Sequence, residues 1–293
     1  MKDLRSNVGL LVRVFLKRYF LFVLNGFLLA ASLFFFMQDR YEHEIFRTLA
    51  RTVKSDYGHF NSEDSLLVGS LRLTYYLEEG RHSVFGPEDL NDGYADFLRP
   101  LTYDLMTAKG ACGSYSLVLA GILTDLKIPV RFAQMKVNGV YGGHILIEAQ
   151  TKNGWVVLDP SFNLSFKKPG GGLANFDEVK KDWSYYKQSV PSAYRQEYAY
   201  EGVRYTNWEK IPVVSSLVKK TLNVTLGKEK ADKLSLRGFF MRKFLILFFL
   251  GVFAYLYSWY RIVRRYLRNR HSTENISTVP PIKSRKERVY KVA

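Results

Sequence analysis

The chain has 293 residues, of which 47% are hydrophobic, an ordinary share for a folded protein that excludes a wholly disordered chain. Its formal net charge of +16 lies mostly at the two ends, because residues 1–18 and 261–293 together hold fifteen lysines and arginines against three acidic side chains; we therefore expect no nucleic-acid partner. A single cysteine, Cys112, excludes an internal disulfide and a zinc site with several thiolates.

The first apolar run extends from Tyr19 to Met37 and follows the basic N-terminus. It has no charged side chain and one amide, Asn25, and at about 1.5 Å per residue a helix of this length spans a hydrocarbon core of roughly 30 Å. A cleaved signal peptide would end in small residues, whereas this run ends in three phenylalanines and a methionine. We predict an uncleaved transmembrane helix over 19–37, with a buried core helix as the alternative.

A second apolar run predicts a transmembrane helix over 239–260, and the basic tail 261–293 follows it. Because basic side chains stay preferentially on the cytoplasmic side, both termini (1–18 and 261–293) are predicted to be cytoplasmic. The domain between the spans, 38–238, is then extracytoplasmic, on the periplasmic or cell-surface side. The lipid bilayer is an expected partner, the tail is expected to bind anionic headgroups, and its last segment, Ser272–Ala293, is predicted to be disordered.

Between the two apolar runs, the chain starts with a helical pattern and then changes to strands. Apolar side chains recur at helical spacing from Tyr41 to Met106, with breaks predicted at Gly80 and Gly86. A further helix is predicted over Ser114–Leu126. Three strands follow, at Val130–Val137, His144–Ala149 and Trp155–Leu158, and then a glycine-rich segment at Pro169–Gly172. The glycine-rich segment lacks the Lys and Ser or Thr of a phosphate-binding loop and is interpreted as a linker or lid. The stretch 172–235 has no clear period and predicts no function.

Cys112 lies in the segment Lys109–Ser116, immediately before the predicted helix. There the unpaired backbone N–H groups and the positive end of the helix dipole favour thiolate over thiol, and the same N–H groups can bind an oxyanion. A thiolate nucleophile needs a base, and His144 is the only one of the five histidines that opens a predicted strand. The alternative is that Cys112 is a small buried hydrophobe.

A carboxylate that orients the imidazole should complete the site. Glu148 shares a strand face with His144, but four residues at about 3.3 Å each place it roughly 13 Å away. Asp159 ends the next strand. If residues 151–154 form a four-residue loop, Asp159 lies opposite Leu146 and diagonal to His144, within reach of its side chain. A tight two-residue turn at Asn153-Gly154 would instead put Asp159 opposite Glu148, too far from His144 for their side chains to touch.

These motifs resemble the transglutaminase-like superfamily in their order and spacing. They are Gly110-Ala111-Cys112 at a helix start, Ile128-Pro129-Val130-Arg131 at a strand entry, Gly143-His144 at the head of a strand, and Asp159-Pro160 at the end of the next. The resemblance covers residues 99–166. It implies an α+β fold with a papain-like core, in which a cysteine-bearing helix packs on an antiparallel sheet, here flanked by two transmembrane helices.

The resemblance also implies a reaction, in which the thiolate of Cys112 attacks an amide carbonyl and water or an amine resolves the acyl-enzyme. We expect a membrane-anchored protease, amidase or transglutaminase-type enzyme that acts on a peptide, another amide or a cell-envelope substrate, without cofactor or metal. The backbone N–H of Cys112 is one expected oxyanion donor, with Gln134 or Tyr141 as alternatives for the second.

A different hypothesis stays open, because fold and motif do not guarantee turnover. In it, the chain is a catalytically silent transglutaminase-like module that binds or scaffolds in a membrane-associated cell-envelope assembly.

Overall fold

The computed structural model of the chain describes residues 2–58, 62–85, 100–106, 112–206, 220–221, 223–224, 227 and 236–277. The fold is α+β, with a five-stranded antiparallel sheet and two long apolar helices. The helices are α1 (Lys2–Tyr57), α2 (Glu63–Phe85), α3 (Leu101–Met106), α4 (Cys112–Asp125), α5 (Phe176–Lys181), α6 (Trp183–Tyr186), α7 (Leu236–Phe240) and α8 (Lys243–Ser277). The strands are β1 (Val130–Val137), β2 (Val140–Thr151), β3 (Gly154–Asp159), β4 (Leu164–Ser165) and β5 (Val203–Arg204).

The chain forms two compact units. One unit is Phe36–Leu245, and the other consists of the two chain ends, up to Phe35 and from Ile246 onwards. In the unit of the chain ends, Asn25 Nδ2 of α1 donates a hydrogen bond to Ser258 Oγ of α8 at 2.9 Å. Polar contacts of this kind are typical of paired helices in an apolar surrounding.

Two helical segments, Tyr19–Tyr57 of α1 and Lys243–Arg268 of α8, are long and apolar enough to cross a membrane by length and composition. Large apolar side chains on both are exposed; Phe27 is 68% exposed and Phe253 is 72% exposed. Such a surface is rare on a soluble protein and suits contact with lipid.

The structure corrects the predicted bounds of the second apolar helix, 239–260. Phe239 belongs to α7, a turn at Met241 and Arg242 follows, and α8 begins only at Lys243. Hydropathy alone does not reveal a two-residue turn within a continuous apolar run. At the other end, α8 continues to Ser277 into the tail that was predicted to be disordered, whereas residues 278–293 lie outside the described part of the chain.

The sheet has the strand order β4-β3-β2-β1-β5, and every pairing is antiparallel. Strands β2 and β3 pair from Thr151 opposite Gly154 to Ile147 opposite Leu158, around a two-residue turn at 152–153. The turn is shorter than the predicted four-residue loop because Thr151 and Gly154 themselves pair. The predicted register is nevertheless confirmed, since its continuation by one pair places Asp159 opposite Leu146.

The two faces of the sheet are covered by different parts of the chain. One face packs against α4, α2 and the second half of α1, with Leu119, Ile122 and Ile147 fully buried. The other face is covered by an aromatic cluster from the stretch after β4: Phe166, Phe176, Tyr186, Tyr194, Tyr198 and Tyr200. All but Phe166 lie in 172–235, for which the sequence predicted no function. The sheet is therefore buried on both sides, and its residues alternate between two separate cores.

One glycine prediction from the sequence is wrong, and another, the break at Gly86, lies outside the described residues. Helix α2 continues through Gly80, where a break was expected, because the burial of Leu67 and Leu71 on its inner face outweighs a glycine cost of about 1 kcal/mol. The segment Pro169–Gly172, interpreted from the sequence as a linker or lid, forms a hydrogen-bonded turn, with Lys168 N–H donating to the carbonyl of Gly172 at 3.0 Å.

Replacing Gly121 by alanine is expected to destabilise the Phe36–Leu245 unit by about 1–3 kcal/mol. Gly121 lies in α4, where a Cβ would approach the ring of Phe46 in α1 to 2.5 Å. Gly80 is the matched control, because a Cβ there meets nothing within 4 Å, and Gly80→Ala should be neutral or stabilise by up to about 1 kcal/mol. The free energies of unfolding of the two variants and the wild type are compared in detergent. Equal effects would contradict the packing of α1 on α4.

Candidate active site

The only cysteine of the chain is the first residue of α4, which begins two residues before the predicted helix start at Ser114, and its side chain is partly buried. Gly110 and Ala111 of the motif lie outside the described residues. Helix α4 is fixed to the sheet by a buried hydrogen bond in which Ser116 Oγ donates to the carbonyl oxygen of Ile145 at 3.0 Å. The start of α4 therefore has a defined position beside β2.

His144 is placed by a bulge in β2. Met135 of β1 pairs with His144, whereas Lys136 pairs with Tyr141, so that two glycines of β2 have no partner in β1. Gly142 has a φ of 92°, a conformation that favours glycine, and a Cβ on Gly143 would approach Val137 Cβ to 2.6 Å. The pair Gly142-Gly143 thus permits the backbone path that orients His144.

His144 and Asp159 form a buried pair. Nε2 of His144 lies 2.7 Å from Oδ2 of Asp159, and each residue is 1% exposed. The second carboxylate oxygen, Oδ1, accepts a hydrogen bond from the backbone N–H of Ser161 at 3.2 Å, because Asp159 caps the short 3-10 helix Pro160–Phe162. Both oxygens are therefore held, and the carboxylate fixes the orientation of the imidazole.

The thiol of Cys112 and the imidazole of His144 influence each other's ionisation. Nδ1, the ring nitrogen not bound to Asp159, is buried and makes no hydrogen bond of standard geometry with the described residues. Hydrogen bonds between a nucleophile and its base are often long or poorly aligned before substrate binds. Burial opposes ionisation of the thiol, but the contact with His144 and its charge, the Ile145 backbone and Arg237 lower the pKa of Cys112.

The pKa of His144 moves in the opposite direction. Burial alone would lower it, but the negative charge of Asp159, the hydrogen bond to Asp159 and the interaction with Cys112 raise the pKa of His144 to about 9. A lowered thiol pKa and a raised imidazole pKa together favour a thiolate–imidazolium ion pair near neutral pH. This is the protonation state that a cysteine nucleophile requires.

An aromatic enclosure around His144 was not predicted from the sequence. Tyr198 stacks on the imidazole with ring centroids 4.3 Å apart and an angle of 10°, and the edge of Phe162 approaches it at 5.9 Å. Tyr194 lies close to Asp159, and burial together with nearby Tyr200 and that carboxylate raises the pKa of the Tyr194 hydroxyl. The abundance of aromatic residues in 194–205 was the available signal, but it did not show which ring would meet the histidine.

Tyr198→Leu is expected to reduce the rate of thiol modification at Cys112 by about two- to thirtyfold at neutral pH, because a ring stacked on a cation contributes roughly 0.5–2 kcal/mol. The substitution also admits water to the His144–Asp159 pair. Tyr198→Phe is the matched control, since it keeps the ring and should retain most of the rate. Alkylation followed by intact-mass spectrometry measures both variants. A similar loss in both would contradict a role for the stacked ring.

Glu148, the carboxylate rejected on distance, has a different partner. Its side chain is 1% exposed and lies 2.6 Å from Nε of Arg131. The guanidinium of Arg131 is held between the rings of Trp155, at 4.2 Å, and Tyr205, at 3.9 Å. This ion pair belongs to the packing of the sheet and leaves Asp159 as the carboxylate of the site.

The two alternatives for a second oxyanion donor differ in burial. Gln134 of β1 is 3% exposed; its Oε1 accepts from Arg204 Nη2 at 3.4 Å, and its Nε2 has no hydrogen-bond partner within the described residues. Tyr141 is 41% exposed and lies beside Arg204. A buried amide N–H is the better preorganised donor of the two.

The structure therefore brings the three predicted residues, Cys112, His144 and Asp159, to one place at the start of α4. The described residues contain no group of three or more His, Cys, Asp or Glu side chains that could hold a metal ion. Comparisons of the chain with models of known protein families, with curated proteins and with solved structures gave no match.

Proposed function

We propose that the chain is a membrane-anchored cysteine enzyme of the transglutaminase-like superfamily that transfers acyl groups from amide or peptide bonds. The observation that carries the proposal is the 2.7 Å contact between His144 Nε2 and Asp159 Oδ2, both buried, beside a cysteine that begins a helix. Strongly shifted pKa values in such a cluster are typical of functional sites. The packing of α4 on the antiparallel sheet supports a papain-like core.

The proposed reaction follows from the roles of the three side chains. The thiolate of Cys112 attacks the amide carbonyl carbon, and the electron pair moves to the oxygen, which the backbone N–H of Cys112 and the amide of Gln134 would stabilise. The imidazolium of His144 then gives its proton to the leaving amine, and a thioester remains. Water or an acceptor amine attacks the thioester while His144 accepts its proton. Asp159 orients the imidazole and stabilises its positive charge.

The membrane arrangement is part of the proposal. Exposed apolar side chains on α1 and α8, and the basic residues that flank both apolar runs, support two membrane spans with cytoplasmic termini. The substrate would then be a peptide, another amide or a cell-envelope polymer on the outer side. Protease treatment of intact cells should cut within 38–238 and spare the C-terminal tail. Cleavage of the tail together with protection of 38–238 would show that the orientation is the opposite one.

Trapping of the acyl-enzyme tests the reaction. The full chain in detergent is incubated with libraries of peptides and cell-envelope amides, quenched in acid and analysed by mass spectrometry. We expect a thioester on Cys112, absent from the Cys112→Ser variant, and added amines should capture the acyl group if transfer competes with hydrolysis. If the chain modifies none of these amides and its thiol reacts as an ordinary one, the scaffolding alternative holds.

A further inference from the structure

Beyond its apolar run, helix α8 carries a cluster of positive charge on one side. Four exposed side chains at positions i, i+3, i+4 and i+7 form what we call the arginine face: Arg261, Arg264, Arg265 and Arg268. They line a cleft of about 450 Å³. The Nη1 of Arg261 donates a hydrogen bond to Tyr257 Oη at 3.1 Å, which orients this guanidinium. The arginine face is therefore one concentrated positive site.

The arginine face lies at the level expected for lipid headgroups. Arg261 directly follows the apolar run that ends at Tyr260, and seven residues at about 1.5 Å each extend the face roughly 10 Å beyond the hydrocarbon core. The opposite side of the same segment is apolar and exposed, with Val263, Tyr266 and Leu267. A helix with one apolar and one basic side binds at the boundary between acyl chains and headgroups.

The chain supplies little negative charge to balance the arginine face. Each of the four arginines has two others three or four positions away, and like charges at this spacing destabilise a helix. The sequence has no Asp or Glu at 233–273. It has none at 4–38 either, in the part of α1 that contacts α8 through Asn25 and Ser258. An anion from outside the chain would reduce the repulsion, so the arrangement favours a negatively charged ligand.

The use of arginine indicates the chemistry of that ligand. All five lysines and arginines at 261–270 are arginines, whereas three of the five at 271–293 are lysines. A topology signal needs only positive charge, which lysine and arginine both supply. The planar guanidinium fork, in contrast, binds two phosphate oxygens at once through parallel hydrogen bonds. Four such forks around one cleft match a phosphate group with three free oxygens and two charges.

We propose that the arginine face of α8 is a binding site for a lipid headgroup that ends in a phosphomonoester. The phosphate would lie in the cleft between the four guanidiniums, and the acyl chains would lie along the apolar residues of the span. With cytoplasmic termini, as proposed above, the headgroup belongs to the inner leaflet. The inference goes beyond acyl transfer, because it rests on the membrane spans alone and needs neither Cys112 nor turnover.

Native mass spectrometry of the full chain in detergent tests the headgroup class. Dioleoyl phosphatidic acid ends in a phosphomonoester, which carries close to two negative charges above about pH 8. Dioleoyl phosphatidylglycerol has the same acyl chains and a phosphodiester with one charge. Phosphatidic acid is expected to bind with a Kd about tenfold lower, because the second charge and the third oxygen both strengthen binding. Equal Kd values for the two lipids would overturn the inference.

Lysine substitutions separate phosphate recognition from charge alone. The variant with Arg261→Lys, Arg264→Lys, Arg265→Lys and Arg268→Lys keeps the charge and the topology signal but loses the guanidinium forks. Its preference for phosphatidic acid is expected to fall from about tenfold to about threefold, the part due to charge. Arg285→Lys with Arg288→Lys is the matched control and should keep the wild-type preference. An unchanged preference in the first variant, or an equal fall in both, would contradict the assignment.

A soluble competitor distinguishes a lipid from a free phosphate. Glycerol 3-phosphate carries the same phosphomonoester without acyl chains. At about a hundredfold excess over phosphatidic acid it should leave most of the lipid bound, since the acyl chains add apolar contacts with α8. Complete displacement of the lipid would show that the ligand is a soluble phosphomonoester and would overturn the assignment to a headgroup.

Discussion

His144→Ala is expected to slow acylation of Cys112 by about 10²- to 10⁴-fold, the usual contribution of a general acid and base. The variant loses the cation that stabilises the thiolate and the proton donor for the leaving amine. Because Cys112 is partly buried, its pKa should rise to the ordinary thiol range or above. Single-turnover acylation with an amide substrate measures the loss, and intact-mass spectrometry shows whether any thioester forms.

His43→Ala is the control for this prediction. His43 is also in the Phe36–Leu245 unit and pairs with a carboxylate, since its Nδ1 lies 3.4 Å from Oδ1 of Asp125. Its substitution removes a histidine–carboxylate pair without touching the site, and acylation should stay within about twofold of the wild type because surface pairs contribute little. If both alanine variants acylated at the wild-type rate, His144 would not be the base.

Asp159→Asn is expected to slow acylation by about 10²- to 10⁴-fold while it leaves the shape of the site intact. The asparagine keeps the size of the side chain and removes the charge that raises the pKa of His144. The imidazolium then loses its proton at lower pH, so that less of the ion pair with Cys112 is present near pH 7. The pH range in which acylation is fast should accordingly become narrower, with its alkaline limit moved to lower pH.

Two comparisons test whether Asp159 acts through His144. In a His144→Ala background, Asp159→Asn should cause no further loss, because residues that act as one unit are not additive. Asp182→Asn is the matched control; this carboxylate caps α6 by accepting from the Tyr185 backbone N–H. It should retain the wild-type rate, since asparagine also caps helices. Independent, additive losses would mean that Asp159 stabilises the fold and not the imidazole.

The parts of the fold that depend on local patterns could be predicted from the sequence. The two apolar runs need only length and the absence of charge, and the alternation of residues 130–158 defines the strands. The partner of His144 was a question of register. A shift of the β2–β3 turn by one residue would have moved Asp159 away from the histidine. The sequence therefore predicted the contact between Asp159 and His144 only for one of two possible turns.

The parts that depend on distant segments could not be predicted. Tyr198 meets His144 across 54 positions of sequence, and no periodicity in 172–235 indicates which aromatic residue covers which face. Arg237 meets Gly113 in the same way, through a five-residue helix that hydropathy joins to the following span. Both contacts depend on tertiary packing, which a single sequence does not encode locally.

The pH dependence of alkylation at Cys112, the only cysteine of the chain, is the most direct test. With iodoacetamide, the wild type should react well below the pH range of an ordinary thiol, and its rate should change again near pH 9, where His144 loses its proton. His144→Ala should show one step, at or above the ordinary thiol range. One identical step in both proteins, at the value of a free cysteine, would show that sulfur and imidazole do not form an ion pair.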